Sequence, residues 1–143
     1  MSELNKLYSQ AIRAHNASPY HFEQRKDLAV TLRAYNPICG DRFDLFVEAD
    51  ASAIKTIYFH GFGCAISKAS ASVMAKSLTG RARPEALRLC NNFLASLDSD
   101  GDETLALPEE WKAFQAVREF PERRDCATLA WTEMKKYLES NPS

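Results

Sequence analysis

Residues 54–79, IKTIYFHGFGCAISKASASVMAKSLT, contain a change from one hydrophobic pattern to another. The first part, residues 54–60, is rich in β-branched and aromatic residues, which is typical of a strand. After the GFGC segment at 61–64, apolar and small residues recur three and four positions apart, as on one face of a helix. The stretch therefore predicts a strand, a glycine-containing loop, and a helix over 66–79 that ends at Gly80.

Two further strands are predicted before this stretch. Residues 28–35 alternate between apolar and polar positions, and residues 42–49 (RFDLFVEA) are rich in aromatic and β-branched types. A short turn at 50–52 separates the second strand from the third, which predicts an antiparallel meander. An amphipathic helix over 3–15 precedes the sheet, because its apolar residues are spaced three and four apart.

The rest of the chain has helical spacing. We predict helices over 84–97, 108–118 and 124–138, interrupted by a polar loop at 98–107 and by Phe120-Pro121. The order of helix, three strands and then helices predicts an α+β fold, in which a three-stranded antiparallel sheet packs against about five helices.

Length and charge restrict the class of protein. The chain has 143 residues, with 18 Lys+Arg against 19 Asp+Glu. That length predicts one domain spanning 1–143. The near-zero net charge argues against nucleic acid or a membrane surface as the partner, because both attract a basic excess. No apolar run is long enough for a membrane span, and no signal peptide is evident, so we expect a cytoplasmic protein.

The four cysteines are the informative part of the composition. In the reducing cytoplasm they are expected to be core residues, metal ligands or reactive thiols rather than disulfides. Cys90 lies on an apolar helical stripe with Ala86, Phe93 and Leu97, which predicts a buried structural residue.

The other three cysteines lie at the ends of predicted elements. Cys39 is in a loop between strands, Cys64 precedes a helix, and Cys126 is placed in the first turn of the last helix. Free backbone N–H groups and the helix dipole favour a thiolate at such a position. With Asp41, these cysteines suit a tetrahedral zinc or iron site. The spacing alone leaves open that they are scattered structural residues.

Three sequence motifs carry a resemblance to a known family. NPICGD at 36–41, GFGCAISKASAS at 61–72 and FPERRDCATLAW at 120–131 resemble the motifs of IscU/NifU-type iron–sulfur assembly proteins, in the same order. The resemblance covers nearly the whole chain and implies the SufE/NifU/IscU-like fold.

The chain resembles the SufU type within this family. Residues 81–119 form a longer helical insert than IscU has, and the position before the last cysteine is Asp125 rather than the histidine of IscU. SufU-like proteins typically have a lysine there, so Asp125 is a charge reversal beside the site. The arginine of their motif is kept as Arg123.

The resemblance implies a zinc site made by Cys39, Asp41, Cys64 and Cys126, and a SufS-type cysteine desulfurase as the partner. A histidine of the desulfurase would replace one thiolate on the zinc, and Cys39 would then accept persulfide sulfur. Arg123 either helps the partner or its persulfide to dock or is an ordinary surface residue. The alternative function is a scaffold, not itself an enzyme, that assembles a transient [2Fe–2S] cluster on the same four residues.

Two other patterns suggest less specific chemistry. In the segment 98–109 the carboxylates fall at calcium-loop positions 1, 3, 5 and 12, but Glu103 stands where that loop needs glycine. A solvated acidic loop is the default interpretation, and a small calcium-responsive protein is the third functional hypothesis. His60, four residues before Cys64, is interpreted as a strand-end histidine rather than a catalytic base.

Overall fold

The predicted meander is present in the computed structural model, which describes residues 10–98 and 108–140. Both strand pairs are antiparallel, and the middle strand in sequence is also the middle strand in space. Each strand lies within two residues of its predicted bounds. The strands are β1 (Val30–Asn36), β2 (Asp41–Ala49) and β3 (Ile54–Phe62).

Five α-helices accompany the sheet in the described residues, as the α+β prediction requires. They are α1 (Gln10–Ala17), α2 (Ala65–Leu78), α3 (Arg83–Ser96), α4 (Glu109–Lys112) and α5 (Pro121–Ser140). A 3-10 helix over Gln115–Glu119 joins α4 to α5. None of these helices combines the length and the apolar character that crossing a bilayer would require.

One face of the sheet is packed against α2 and α5. Phe43, Leu45 and Val47 alternate along β2 with side chains on the outer face, and all three are buried. Helix α2 contacts β3 and helix α5 contacts β1, so the two helices cover this inner face together. The burial of these apolar faces is the main favourable term in the stability of such a fold.

The small residues of α2 allow close packing against α5. Ser70 is buried in α2, and its hydroxyl donates to the backbone carbonyl of Ala127 in α5. The same hydroxyl oxygen accepts a hydrogen bond from Trp131 Nε1 at 3.1 Å. A larger side chain at position 70 would separate the two helices and leave the indole N–H without this acceptor.

An aromatic cluster joins α3, α4 and α5. Trp131 stacks on Phe93 with the ring centroids 4.0 Å apart, and Trp111 packs edge-on against both rings. Both tryptophans are buried. Cys90 is fully buried in α3, which confirms its predicted structural role.

The predicted helix over 108–118 is wrong as a single element. Trp111, Phe114 and Val117 are all buried and are spaced by three residues. This spacing suits the three residues per turn of a 3-10 helix, and the chain changes to that geometry after α4. The last helix begins at Pro121, three residues before its predicted start, and α1 extends two residues past its predicted end. Residues 3–9 of the predicted first helix and residues 99–107 of the predicted polar loop lie outside the part of the chain that the structure describes.

Glu110 connects α4 to α1 and α2, because its carboxylate pairs with His15 and, at 2.7 Å, with Lys76. Burial alone would raise the pKa of Glu110, but the hydrogen bonds from Lys76 and His15 outweigh it and lower the pKa below its usual value. We therefore expect Glu110→Gln to be less stable than wild type above pH 5. The difference should disappear as the pH falls through the lowered pKa of Glu110. Because the carboxylate is partly exposed, the loss should be about 1 kcal/mol or less.

Urea unfolding at pH 6 and pH 3 measures this difference. Glu109→Gln is the matched control, because Glu109 is exposed and pairs only with Lys112 on its own turn among the described residues. An equal effect of the two substitutions at pH 6, or an effect of Glu110→Gln that persists unchanged at pH 3, would contradict the assignment.

Candidate metal centre

The Cys39 loop is a tight turn held by its own first residue. The side chain of Asn36 accepts a hydrogen bond from the N–H of Ile38 at 3.1 Å, and its backbone carbonyl accepts one from the N–H of Gly40 at 2.8 Å. Gly40 has φ +75°, a conformation that other residues rarely adopt. The turn places the Cys39 side chain in solvent and returns the chain to β2 at Asp41, which is fully buried.

Cys64 is the N-cap of α2, so its predicted position at a helix N-terminus is confirmed. Its Sγ accepts a hydrogen bond from the N–H of Ser67 at 3.4 Å. Its own N–H donates to Asp41 Oδ1 at 3.0 Å. The start of α2 and the start of β2 are therefore joined directly by the carboxylate of Asp41.

Gly63 gives the Asp41 carboxylate the space that it occupies. A Cβ atom at position 63 would lie 2.5 Å from Ser67 Oγ and 2.7 Å from Asp41 Oδ1. Contacts of that length do not occur between real atoms of these types, so any side chain at this position would displace the carboxylate. The roles of Gly63 and Asn36 were not predicted from the sequence, although the Gly-x-Gly-Cys and Asn-Pro-x-Cys strings contain these residues.

The placement of Cys126 in the first turn of its helix is wrong. Because proline is well suited to the first helical position, α5 begins at Pro121, and Cys126 is its sixth residue. The thiol donates to the carbonyl of Glu122, one turn earlier, at 3.7 Å. Cys126 is therefore a buried residue in the second turn of α5. Of the three candidate cysteines, Cys64 is the one that lies at a helix N-terminus.

Three of the four predicted ligands form one cluster. One ligand atom each from Cys39, Asp41 and Cys126 lies within 4.8 Å of the other two, and the Sγ atoms of Cys39 and Cys126 are 3.6 Å apart. Cys64 lies beside this cluster rather than within it, and it is joined to the cluster by the hydrogen bond from its N–H to Asp41 Oδ1. Together the four residues offer three sulfur atoms and a carboxylate, from the starts of β2 and α2, the Cys39 loop and the second turn of α5.

The donor atoms fit a metal ion. Asp41 is fully buried, and within the described residues its Oδ2 has no hydrogen-bond partner. A buried carboxylate without a full set of partners is unstable unless a cation or proton compensates it. Sulfur ligands with one carboxylate suit zinc, and thiolates also hold iron–sulfur clusters.

The thiols of Cys64 and Cys126 have pKa values that are shifted in opposite directions. A hydrogen bond from the Cys126 thiol, helped by Ser67, lowers the pKa of Cys64 to about 5 although burial opposes the change. The same hydrogen bond and burial raise the pKa of Cys126 far above its usual value. Of the two thiols, Cys64 is the one that ionises more readily.

The remaining predicted residues lie around or outside this cluster. Arg123 is half-buried in the first turn of α5, and Asp125 is exposed one position before Cys126. His60 is half-buried on β3 and contacts the ring of Phe22, with centroids 4.8 Å apart. Most of the calcium-loop pattern at 98–109 lies outside the described residues.

We expect Gly63→Ala to reduce metal binding, because its Cβ displaces the Asp41 carboxylate. Metal analysis of the purified variant by plasma emission, beside thermal unfolding, measures this effect. Gly80→Ala is the control: no atom lies within 4 Å of its Cβ position, although its φ of +83° strains any side chain placed there. Gly80→Ala should lose about 1 kcal/mol of stability and keep its metal. Full metal content in Gly63→Ala would contradict the role assigned to Gly63.

Comparison with known proteins agrees with this geometry. The family model for the NifU-like N-terminal domain matches residues 7–140. The iron–sulfur cluster assembly scaffold protein IscU of Streptococcus pyogenes serotype M1 is 36% identical over 96% of this chain and 86% of its own length. The zinc-dependent sulfurtransferase SufU of Bacillus subtilis strain 168 is 33% identical over 94% of this chain and 91% of its own.

A solved structure has the same fold along its whole length. It is the putative iron–sulfur cluster assembly scaffold protein for the SUF system from Fervidobacterium islandicum AW-1, which is 28% identical and superposes with a TM-score of 0.79. The match covers 94% of this chain and 96% of that one. The chain therefore belongs to the NifU-like N-terminal domain family, whose members include the IscU and SufU proteins of iron–sulfur cluster assembly.

Proposed function

We propose that this protein is a zinc-dependent sulfur acceptor that takes persulfide sulfur from a SufS-type cysteine desulfurase onto Cys39. The observation that supports it is the contrast in exposure within one cluster. Cys39 is exposed, whereas Cys126 and Asp41, whose ligand atoms lie within 4.8 Å of its Sγ, are almost completely buried. A sulfur donor on another protein can reach Cys39 without opening the core.

The resident zinc ion would be held by Cys39, Asp41, Cys64 and Cys126. Bound zinc would keep the thiols of its ligands deprotonated at neutral pH. The orphan Oδ2 of Asp41 is the donor atom that most needs such a cation. Asp41 in turn stays oriented by the hydrogen bond that its Oδ1 accepts from Cys64.

The transfer itself is a thiolate exchange at sulfur. The Cys39 thiolate attacks the terminal sulfur of the donor's persulfide, and a new S–S bond forms on Cys39. The S–S bond of the donor breaks at the same time, and the donor cysteine leaves as a thiolate. The transferred sulfur keeps its proton, and no external oxidant or reductant is consumed. The chain's contribution is to present one accessible thiolate beside a buried, fixed set of neighbours.

A second candidate function is the assembly of a [2Fe–2S] cluster on the same residues. The cluster would then be the product that the protein passes on rather than a resident cofactor. It is supported by the three sulfur donors and by the resemblance to a protein named as an IscU scaffold. Metal analysis separates the two candidates. A colourless protein with one equivalent of zinc supports sulfur transfer, whereas a brown protein with charge-transfer absorbance after anaerobic reconstitution supports the scaffold.

Cys39→Ser is expected to abolish sulfur acceptance, because serine has no nucleophilic sulfur. The measurement is desulfurase turnover with and without this protein, together with mass spectrometry for one added sulfur atom on the Cys39 peptide. Cys90→Ala is the matched control, since this cysteine is buried in α3 and its pKa is raised to about 12 by burial. No stimulation by wild type would refute the proposed function, and unchanged stimulation by Cys39→Ser would refute the role of Cys39.

Asp41→Cys is expected to make zinc release slower, because a hard carboxylate is a weaker partner for zinc among thiolates than a fourth thiolate would be. The measurement is the rate of zinc transfer to a chromogenic chelator. Asp44→Cys places the same new thiol on the outer face of the same strand and should release zinc at the wild-type rate. Equal release rates from Asp41→Cys and wild type would show that the carboxylate does not set how readily the site opens.

A further inference from the structure

The exposed apolar surface of the described residues is concentrated at one end of the molecule. Its large hydrophobic members are Tyr35, Ile38 and Phe62, with 52%, 85% and 66% of their surfaces exposed. Ile38 immediately precedes Cys39, and Phe62 lies two residues before Cys64. A concentration of this kind around a reactive thiol is typical of an interaction surface rather than of ordinary scattered exposure.

Two of these side chains belong to one cross-strand row on the outer face of the sheet. In the register of the strands, Arg42 lies opposite Tyr35 on one side and opposite Phe62 on the other. Side chains in such a row are close enough to touch, and the Arg42 guanidinium carbon lies 5.1 Å from the centre of the Tyr35 ring. We call Tyr35, Arg42, Phe62 and the adjoining Ile38 the aromatic row.

The rest of the outer face is better covered. The segment between α1 and β1 follows the edge of β3 and then crosses this face, where Gln24 contacts His60 and Arg25 lies 4.6 Å over the ring of Tyr58. Phe46, on the same face, is buried. The aromatic row, at the end nearest Cys39, is left exposed.

The charges of the face favour an acidic occupant. Arg33, one row away from Arg42, lies 3.6 Å from the carboxylate of Asp44. Arg42 has no carboxylate within ion-pair distance in the described part of the chain, although it is exposed. A second copy of this chain is a poor occupant, because a two-fold contact centred on the row would bring Arg42 against its own copy. It would also cover Cys39.

The surface continues around the other side of the Cys39 loop. Tyr35 also borders a cleft of about 330 Å³, whose opposite wall is α5 with Thr128, Thr132 and the exposed Asp125. A segment bound across the row and into this cleft would therefore straddle the Cys39 loop.

We propose that the aromatic row is the docking surface for the persulfide-bearing segment of the sulfur donor, an apolar segment with an acidic side chain that pairs with Arg42. This inference rests on the proposed function and adds the surface that delivers the donor. Aromatic and arginine side chains are the residues that most often dominate binding at such surfaces. The row acts on binding and has no part in the bond exchange at sulfur.

The test is a titration of a purified SufS-type cysteine desulfurase, from the same genome, with wild-type protein and with Phe62→Ser, Arg42→Glu and Arg33→Glu. The two row variants should raise the half-saturating concentration about tenfold or more, with the maximal rate within about twofold of wild type and the zinc content unchanged. Arg33→Glu is the matched control and should leave both parameters unchanged. An unchanged half-saturating concentration in both row variants, or a fall confined to the maximal rate, would overturn the proposal.

Two further measurements separate the remaining outcomes. Sedimentation of the protein alone should show a monomer; a dimer that Phe62→Ser dissociates would assign the row to a second copy and overturn the proposal. If wild type accepts no sulfur, the proposed function fails, and calorimetric binding to the desulfurase then decides the docking surface separately. Wild-type binding that Phe62→Ser weakens supports the row, and an absence of wild-type binding refutes it.

Discussion

The hydrogen bond from the backbone N–H of Cys64 to the buried carboxylate of Asp41 determines how the candidate site is built. It joins the first residue of β2 to the N-cap of α2, two positions separated by 23 residues of sequence. Gly63 is needed because the carboxylate lies where its Cβ would be. Oδ1 of Asp41 accepts the hydrogen bond from Cys64, whereas Oδ2 has no hydrogen-bond partner among the described residues. The cluster therefore contains one oxygen donor that is fixed in position.

The packing of α2 against α5 fixes the positions of two of the sulfur atoms. Ser70 in α2 bonds to Ala127 and Trp131 in α5, so the small residues of α2 hold the two helices close together. Cys126 is adjacent to Ala127, and Cys64 begins α2. The closeness of the helices therefore brings these two thiols near each other, and their pKa values are shifted in opposite directions.

Periodicity was sufficient to predict the sheet and the helix α2, because both have a hydrophobic pattern that fits a single period. It failed at residues 108–118, where Trp111, Phe114 and Val117 fit a 3-10 helix as well as an α-helix. It also misplaced Cys126, since Pro121 is compatible both with a break and with the first position of a helix. The orphan oxygen of Asp41 and the exposed row of Tyr35 and Phe62 depend on contacts between distant residues, and no local pattern contains them.

The two proposed functions make different demands on Cys39. Cluster assembly requires its sulfur to be held as firmly as the other two, whereas sulfur acceptance requires it to reach a donor outside the protein. Cys64 and Cys126 are fixed by helices, but Cys39 lies in a turn whose backbone hydrogen bonds both run to Asn36 within the turn. No atom lies within 4 Å of the Cβ position of Gly40, so the turn is not packed against its neighbours at that point. Since the exposed aromatic row also borders this turn, the least enclosed of the proposed ligands would be the one that meets the proposed sulfur donor.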